Sequence, residues 1–284
     1  MNINNIVSPK LLKDNRYCLL GIAAGLQAIC LTLVWKADDT GHFGMSLLFL
    51  FAIGNLIWEK RHTFKFESGV LSSFIGMTLI SWVLWESANF ADGNVMRLLP
   101  FVSAFGVALL ASGFKGLKQY WQELVILFFL GVPTVIASFL FDLSPITAKF
   151  SAFLLHYSGF DVVSQGVFIN LPNGGVEVTE ECSGLDTIIY TLSVSVLAMV
   201  MFPLRRSKLF FVPIVAIAIG FLVNAIRVVM LAIFAASDKA AFDNWHGGQA
   251  SYLYGVIGIF VFGYFYWFLL QQEEKSQNAG SYES

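Results

Sequence analysis

The sequence predicts an all-α polytopic membrane protein of about eight transmembrane helices, with a small extracytoplasmic β-hairpin and an amphipathic helix before span six. Three observations carry that expectation. Apolar residues make up 57% of the 284-residue chain and charged residues 13%, against roughly 45–50% and about 25% in soluble domains. Apolar windows of about twenty residues recur along most of the length. The one long polar connection, residues 142–183, passes from helical to alternating periodicity before the chain turns apolar again. The 28 Phe and 7 Trp suit a lipid-facing surface with interfacial belts. A single integral membrane domain over 1–284 is the organisation this pattern implies. A net charge of −2 with no basic patch excludes a nucleic-acid partner, leaving membrane lipid as the surrounding medium. Three cysteines give no disulfide framework.

Taken in order, Lys10, Lys13 and Arg16 precede a first apolar stretch, 17–35, that lacks a small-residue cleavage site and reads as a retained span. Further spans lie near 43–58, 69–85, 96–112, 121–141, 184–203, 209–236 and 251–270, the second being short. The last dozen residues read as disordered. With the N-terminus inside, the cytoplasmic segments hold Lys10, Lys13, Arg16, Lys60, Arg61, Lys65, Lys115, Lys118, Arg205, Arg206, Lys208 and Lys275. The outer side keeps Lys36, Arg97, Lys149 and Lys239. Twelve basic residues against four is a positive-inside bias, and it predicts both termini in the cytoplasm.

On that topology the connection 142–183 is extracytoplasmic. Residues 146–157 carry apolar side chains at helical spacing, which predicts an amphipathic helix at the interface. Val167-Phe168-Ile169, then Pro172-Asn173-Gly174-Gly175, then Val176-Glu177-Val178 predict a two-stranded ribbon with an Asn-Gly turn. That ribbon would deliver Glu180-Glu181-Cys182-Ser183-Gly184 to the mouth of span six.

Cys182 therefore sits where a polar strand becomes a membrane helix, and the positive end of a helix dipole favours thiolate. Arg227 lies within span seven. A charge near mid-helix costs about 2.5–3.5 kcal/mol on insertion scales, so such residues are functional candidates by default. Asn224, three residues earlier, shares its face. His246 falls in the outer loop before span eight. All three groups belong to the outer half of the membrane, and together they suit acyl transfer. Cys182 would be the nucleophile and His246 its base or the acid for the leaving amine. Arg227 would serve as oxyanion donor or orient the carbonyl. Glu180 or Glu181 are candidates to hold the histidine. Cys18 and Cys30 read as mid-span packing residues. His42, His62 and His156 read as surface residues, with no metal site around them.

Glu181-Cys182-Ser183-Gly184, Asn224-Ala225-Ile226-Arg227 and the later His246, in that order on about eight spans, resemble the exosortase/archaeosortase family. The segment from Trp58-Glu59-Lys60-Arg61 to Ser68-Gly69 is similar to the cyanobacterial branch. The resemblance implies a sortase-like cysteine transpeptidase or peptidase of the bacterial plasma membrane, with Cys182, Arg227 and His246 catalytic and Asn224, Glu181 and Ser183 supporting. It also implies the partners: exported proteins whose C-terminus carries a Pro-Glu-Pro type (PEP-CTERM) motif, a transmembrane helix and a basic tail. Cleavage would leave a thioester on Cys182, and no metal or organic cofactor is implied. Two other classes fit parts of the pattern. Another thiol-dependent membrane protease or acyltransferase would share Cys182 without needing a sorting signal. A non-enzymatic transporter or assembly scaffold would use Arg227 to bind an anion, although the matched broken helices expected of a transporter are not evident.

Overall fold

The computed structural model describes residues 15–89, 92–247 and 252–282. The predicted basic residues Lys10 and Lys13 and the first residue of the last predicted span, Ser251, lie outside them. The chain divides into two compact units, Met1–Val135 and Ile136–Ser284.

The first unit is helical. It comprises α1 (Asn15–Lys36), α2 (Thr40–Lys60), α3 (Val70–Ala88), α4 (Gly93–Gly116), a 3₁₀ turn at Leu117–Tyr120, and α5 (Trp121–Leu140), whose last residues belong to the second unit. Among the described residues, six stretches are long and apolar enough to cross a membrane, and a seventh apolar helix, Leu185–Met201, is shorter. One of the six, Gly93–Leu140, has 48 residues. That is about 72 Å of helix, more than twice the bilayer core. It doubles back instead. Helical geometry breaks at Gly113, and Phe101 meets Phe128 with ring centroids 5.5 Å apart. Both pieces therefore match the separate fourth and fifth spans read from sequence. The second span is longer than expected, 21 residues, because its N-terminus is extended by an Asp39 cap that accepts from the His42 N–H at 2.9 Å. Asp39 also pairs with Arg97 at 3.2 Å, and Lys60 at the other end of α2 pairs with Glu123 at 2.9 Å. His42 is fully buried rather than at the surface, because it lies on the inward stripe of α2 with Met45, Ser46 and Phe49.

Large apolar side chains stand outward on these helices: Val70 is 91% exposed and Phe51 79%. Water would not tolerate such a continuous surface, whereas lipid does.

The second unit contains α6 (Ser144–Tyr157), β1 (Val163–Gln165), β2 (Phe168–Leu171), β3 (Gly174–Glu177), a 3₁₀ turn at Glu180–Cys182, α7 (Leu185–Met201), α8 (Arg206–Leu209), α9 (Phe211–Ser237), α10 (Lys239–His246) and α11 (Tyr252–Tyr282). Helix α9 is its axis, packing against α6, α7, α10, α11, β2 and β3. Small residues on α9, among them Ala216, Gly220, Ala225 and Ala232, are buried and let its neighbours approach closely.

Several expectations need correction. The ribbon has three strands, an antiparallel meander in the order β1-β2-β3. The missed strand pairs Gln165 with Phe168 across a two-residue Gly166-Val167 turn, and Gly166 supplies the positive φ that such a turn requires. The second turn is centred on Pro172-Asn173 rather than Asn-Gly, since Leu171 faces Gly174. The amphipathic helix exists as α6, but its buried stripe mixes three hydroxyl residues, Ser144, Thr147 and Ser151, with the apolar Ala148, Ala152 and Leu155. Its large residues Ile146, Phe153 and Tyr157 are exposed. His246 ends a helix, α10, and does not lie in a loop. Finally, α11 continues as a helix to Tyr282 where disorder was expected, and polar residues past the apolar run extend it by ordinary helix propensity.

Candidate functional site

Cys182 closes the 3₁₀ turn just ahead of α7, and local chemistry explains each residue of Cys182-Ser183-Gly184. The Cys182 N–H donates to the Thr179 carbonyl at 2.9 Å, and the Ser183 N–H to the Glu180 carbonyl at 3.1 Å. The Ser183 hydroxyl tightens the same turn by donating to the Glu180 carbonyl at 2.6 Å. Gly184 is the N-cap of α7 at φ +91°, a left-handed conformation that costs other residues about 1–2 kcal/mol. A Cβ there would also lie 2.6 Å from the Asn224 side-chain carbon Cγ. Cys182 thus lies three residues before the first residue of α7, Leu185, with Ser183 and the Gly184 cap between them.

Two neighbours hold the turn from outside. Asn224 Nδ2 donates to the Cys182 carbonyl at 3.0 Å, and Thr147 Oγ1 donates to the Ser183 carbonyl at 2.7 Å. Ser151, one turn along α6 from Thr147, donates to the Ala225 carbonyl of α9 at 3.2 Å. The polar stripe of α6 therefore stitches the Cys182 turn to α9. Cys182 itself is 5% exposed, within a cluster that includes Ala148, Ile169, Val178, Val228 and Ala232.

Helix α10 brings the histidine. Asp238 ends α9 and caps α10 by accepting from the Ala241 N–H at 3.1 Å, so the chain folds back on itself. Trp245 stacks on Phe234 of α9 at 6.3 Å. On this short antiparallel arm His246 Nε2 reaches 3.4 Å from Cys182 Sγ. The ring lies flat against Phe242, one helical turn earlier, at 5.1 Å and an interplanar angle of 11°. Neither Glu180 nor Glu181 bonds it. Glu181 is exposed, and the Glu180 carbonyl serves the turn. Among the described residues no carboxylate orients this ring; the Phe242 face does.

Arg227 is half-buried on α9 and donates from Nη2 to the backbone carbonyl of His246 at 3.2 Å. Its Nε is buried without a hydrogen-bond partner. Tyr254 of α11 lies within electrostatic reach of the guanidinium. A pocket of about 120 Å³ opens beside the thiol. One wall is Gly175 to Glu177 of β3 with Val178 just beyond it, another is Phe242 and His246 of α10, and the floor is Val228 and Leu231 of α9.

The three residues singled out from sequence, Cys182, Arg227 and His246, thus meet around one turn. Cys182 and His246 line the pocket, while Arg227 grips the histidine's backbone from behind. Asn224 and Ser183 support the turn, and the exposed Glu181 side chain bonds neither Cys182 nor His246. Thr147 and Phe242 were not found from sequence. Their signals were present, as hydroxyls four residues apart on the predicted amphipathic helix and as an aromatic four residues before His246. Cys18 is exposed and Cys30 buried on α1. Among the described residues no group of three or more His, Cys, Asp or Glu is arranged to hold a metal.

A family model described as transmembrane exosortase (Exosortase_EpsH) matches residues 35–271, which include every residue of this site. No curated protein and no solved structure matches the chain.

Proposed function

Because the chain belongs to the transmembrane exosortase family, we propose that it is a membrane-embedded cysteine protease and transpeptidase acting on the C-terminal sorting signals of exported proteins. Family membership makes it a membrane enzyme that processes sorting signals. The observation that carries the finer reading is the 3.4 Å approach of Cys182 Sγ to His246 Nε2, at the edge of a pocket.

In this mechanism the thiol gives its proton to Nε2 and the sulfur attacks the scissile carbonyl carbon, forming the C–S bond. Negative charge moves to the carbonyl oxygen. The N–H groups of Cys182 and Ser183 are already bonded within the 3₁₀ turn, which favours a side-chain donor for that oxyanion. Arg227 would fill that role through its permanent charge, its side chain turning from the His246 carbonyl toward the pocket when substrate binds. Collapse breaks the C–N bond, and His246 returns the proton to the departing amine. The result is a thioester on Cys182 and a free C-terminal fragment. An amine acceptor or water then attacks the thioester and releases the thiol. No cofactor enters these steps.

The substrate of this reading is an exported protein ending in a Pro-Glu-Pro type motif, a transmembrane helix and a basic tail. The motif would leave the membrane beside the Cys182 turn. The excess of basic residues in the segments read as cytoplasmic supports a site on the extracytoplasmic side of a bacterial plasma membrane, with both termini inside.

The test is co-expression with a tagged substrate bearing that tripartite C-terminus, followed by its mass. Wild type should remove the C-terminal helix, and any added mass would identify the acceptor. Cys182→Ala should leave the substrate at full length while inserting normally. Full processing by that variant would remove the mechanism.

A further inference from the structure

The pocket wall formed by β3 is an open sheet edge. Leu171 and Gly174 close a two-residue turn and so form a hydrogen-bonded pair, and alternation makes Ile169 and Val176 the next one. The Val178 N–H bonded to the Val167 carbonyl at 2.9 Å fixes the same parity independently. Gly175 and Glu177, between these pairs, turn their N–H and C=O groups away from β2. The order β1-β2-β3 leaves no strand on that side. Among the described residues nothing bonds those groups. Nor does α9 cover them. It lies under the sheet's face, where a Cβ on Gly174 would meet the Ala235 carbonyl at 2.6 Å and where Val176 packs on the core. Both Gly175 and Glu177 line the same pocket as Cys182 and His246.

We propose that this edge is the substrate's docking rail: an extended segment of the sorting motif pairs with β3 as a fourth strand and presents its scissile carbonyl to Cys182. The idea rests on the sorting-signal reading above and deepens it. Unpaired edge groups are a template for another chain, and strand addition draws affinity from main-chain bonds. Only alternate residues of the added strand face the edge. A Pro-x-Pro stretch suits this arrangement. Its central residue turns N–H and C=O to β3, while both prolines, which have no N–H, point outward where none is needed.

The test uses wild-type full-length protein in detergent with synthetic peptides covering the motif and its flanks, as competitors of tagged-substrate processing. Single backbone N-methyl groups are moved along the peptide. The expected pattern has period two: methylation at the central residue of Pro-x-Pro weakens competition at least about tenfold, and methylation three positions away on either side, the nearest odd positions that can carry an N–H, leaves it unchanged. A flat or uniform response overturns the proposal. On the enzyme side, Glu177→Pro deletes one outward N–H and keeps both neighbouring inward bonds. It should slow processing at least about tenfold while labelling of Cys182 by a small thiol reagent stays at the wild-type rate. Glu177→Ala, which removes the same carboxylate but keeps the outward N–H, should lose far less activity than Glu177→Pro. Equal loss in both variants would assign the effect to the carboxylate and overturn the edge. If wild type processes no tripartite substrate at all, the sorting-signal reading fails first and takes this inference with it. Processing with a flat methyl scan removes the inference alone.

Discussion

Arg227 holds His246 by its backbone and not by its ring: Nη2 donates to the His246 carbonyl at 3.2 Å while Nε2 of the imidazole faces Cys182. One guanidinium thus fixes the end of α10 and keeps an unused N–H at Nε. Arg227→Lys should therefore fail even though the charge survives. A lysine ammonium is a point charge on a flexible stem and cannot serve two directions at fixed angles. Processing should fall about 100-fold or more, the loss typical of a missing oxyanion donor. The measurement is the rate of substrate cleavage beside the rate of Cys182 labelling. Unimpaired cleavage would make Arg227 a structural cation.

How much of this was legible in the sequence follows from what each feature depends on. The apolar windows gave the helices, because a membrane demands long uninterrupted runs whatever lies next to them. Cys182, Arg227 and His246 stood out because a thiol at a boundary, a charge in a span and a histidine beside the membrane are each costly or unusual in isolation. What was missed depends on partners distant in sequence. Strand β1 is three exposed residues, Val163–Gln165, with no alternation to detect, and it forms only because Gly166 allows the turn back onto β2. His42 is buried by neighbours that a single helix does not announce. The role of Thr147 depends on a carbonyl 36 residues away.

That last contact gives a prediction. Thr147 is fully buried, and its hydroxyl supplies the bond to the Ser183 carbonyl beside the nucleophile. Thr147→Val keeps the shape and deletes the donor, leaving a buried carbonyl unsatisfied at a cost of about 1–3 kcal/mol. The protein should melt at lower temperature in detergent and process substrate more slowly. Thr147→Ser, which keeps the donor, should recover most of both. Equal melting temperatures for the valine variant and wild type would show that the turn does not lean on α6.

Phe242 supplies the only ring contact that orients His246 among the described residues, a near-parallel stack at 5.1 Å. Aromatic pairs of this kind contribute about 0.5–1.5 kcal/mol beyond their buried area. Phe242→Ala should free the imidazole to turn away from Cys182 and slow processing up to about tenfold. Phe242→Tyr keeps the ring face and should be close to wild type. Thiol labelling beside thermal melting separates this from simple loss of packing. If the stack positions the imidazole, Cys182 labelling changes in the alanine variant while its melting temperature in detergent stays near wild type; a lower melting temperature with unchanged labelling would assign Phe242 to packing.

Gly184 joins the nucleophile turn to the helix behind it, and it is constrained twice over. Its φ of +91° is a conformation that L side chains rarely adopt, and Asn224 occupies the place where a Cβ would go. Gly184→Ala must either keep the left-handed backbone, at about 1–2 kcal/mol, or relax it by swinging the Cys182 carbonyl away from Asn224 Nδ2. Pushing Asn224 aside breaks the same 3.0 Å bond, so either route displaces the thiol relative to His246. The expected result is a protein that inserts and accumulates but has lost most of its processing activity, with Cys182 labelled at an altered rate. Asn224→Ala opens the space without the backbone strain, and it should be the milder of the two. If Asn224→Ala were the more damaging change, the amide would be acting on substrate through its second atom, Oδ1, which is buried with no partner in the free protein. Measuring both variants against the same tagged substrate decides between a residue that shapes the turn and one that touches the peptide.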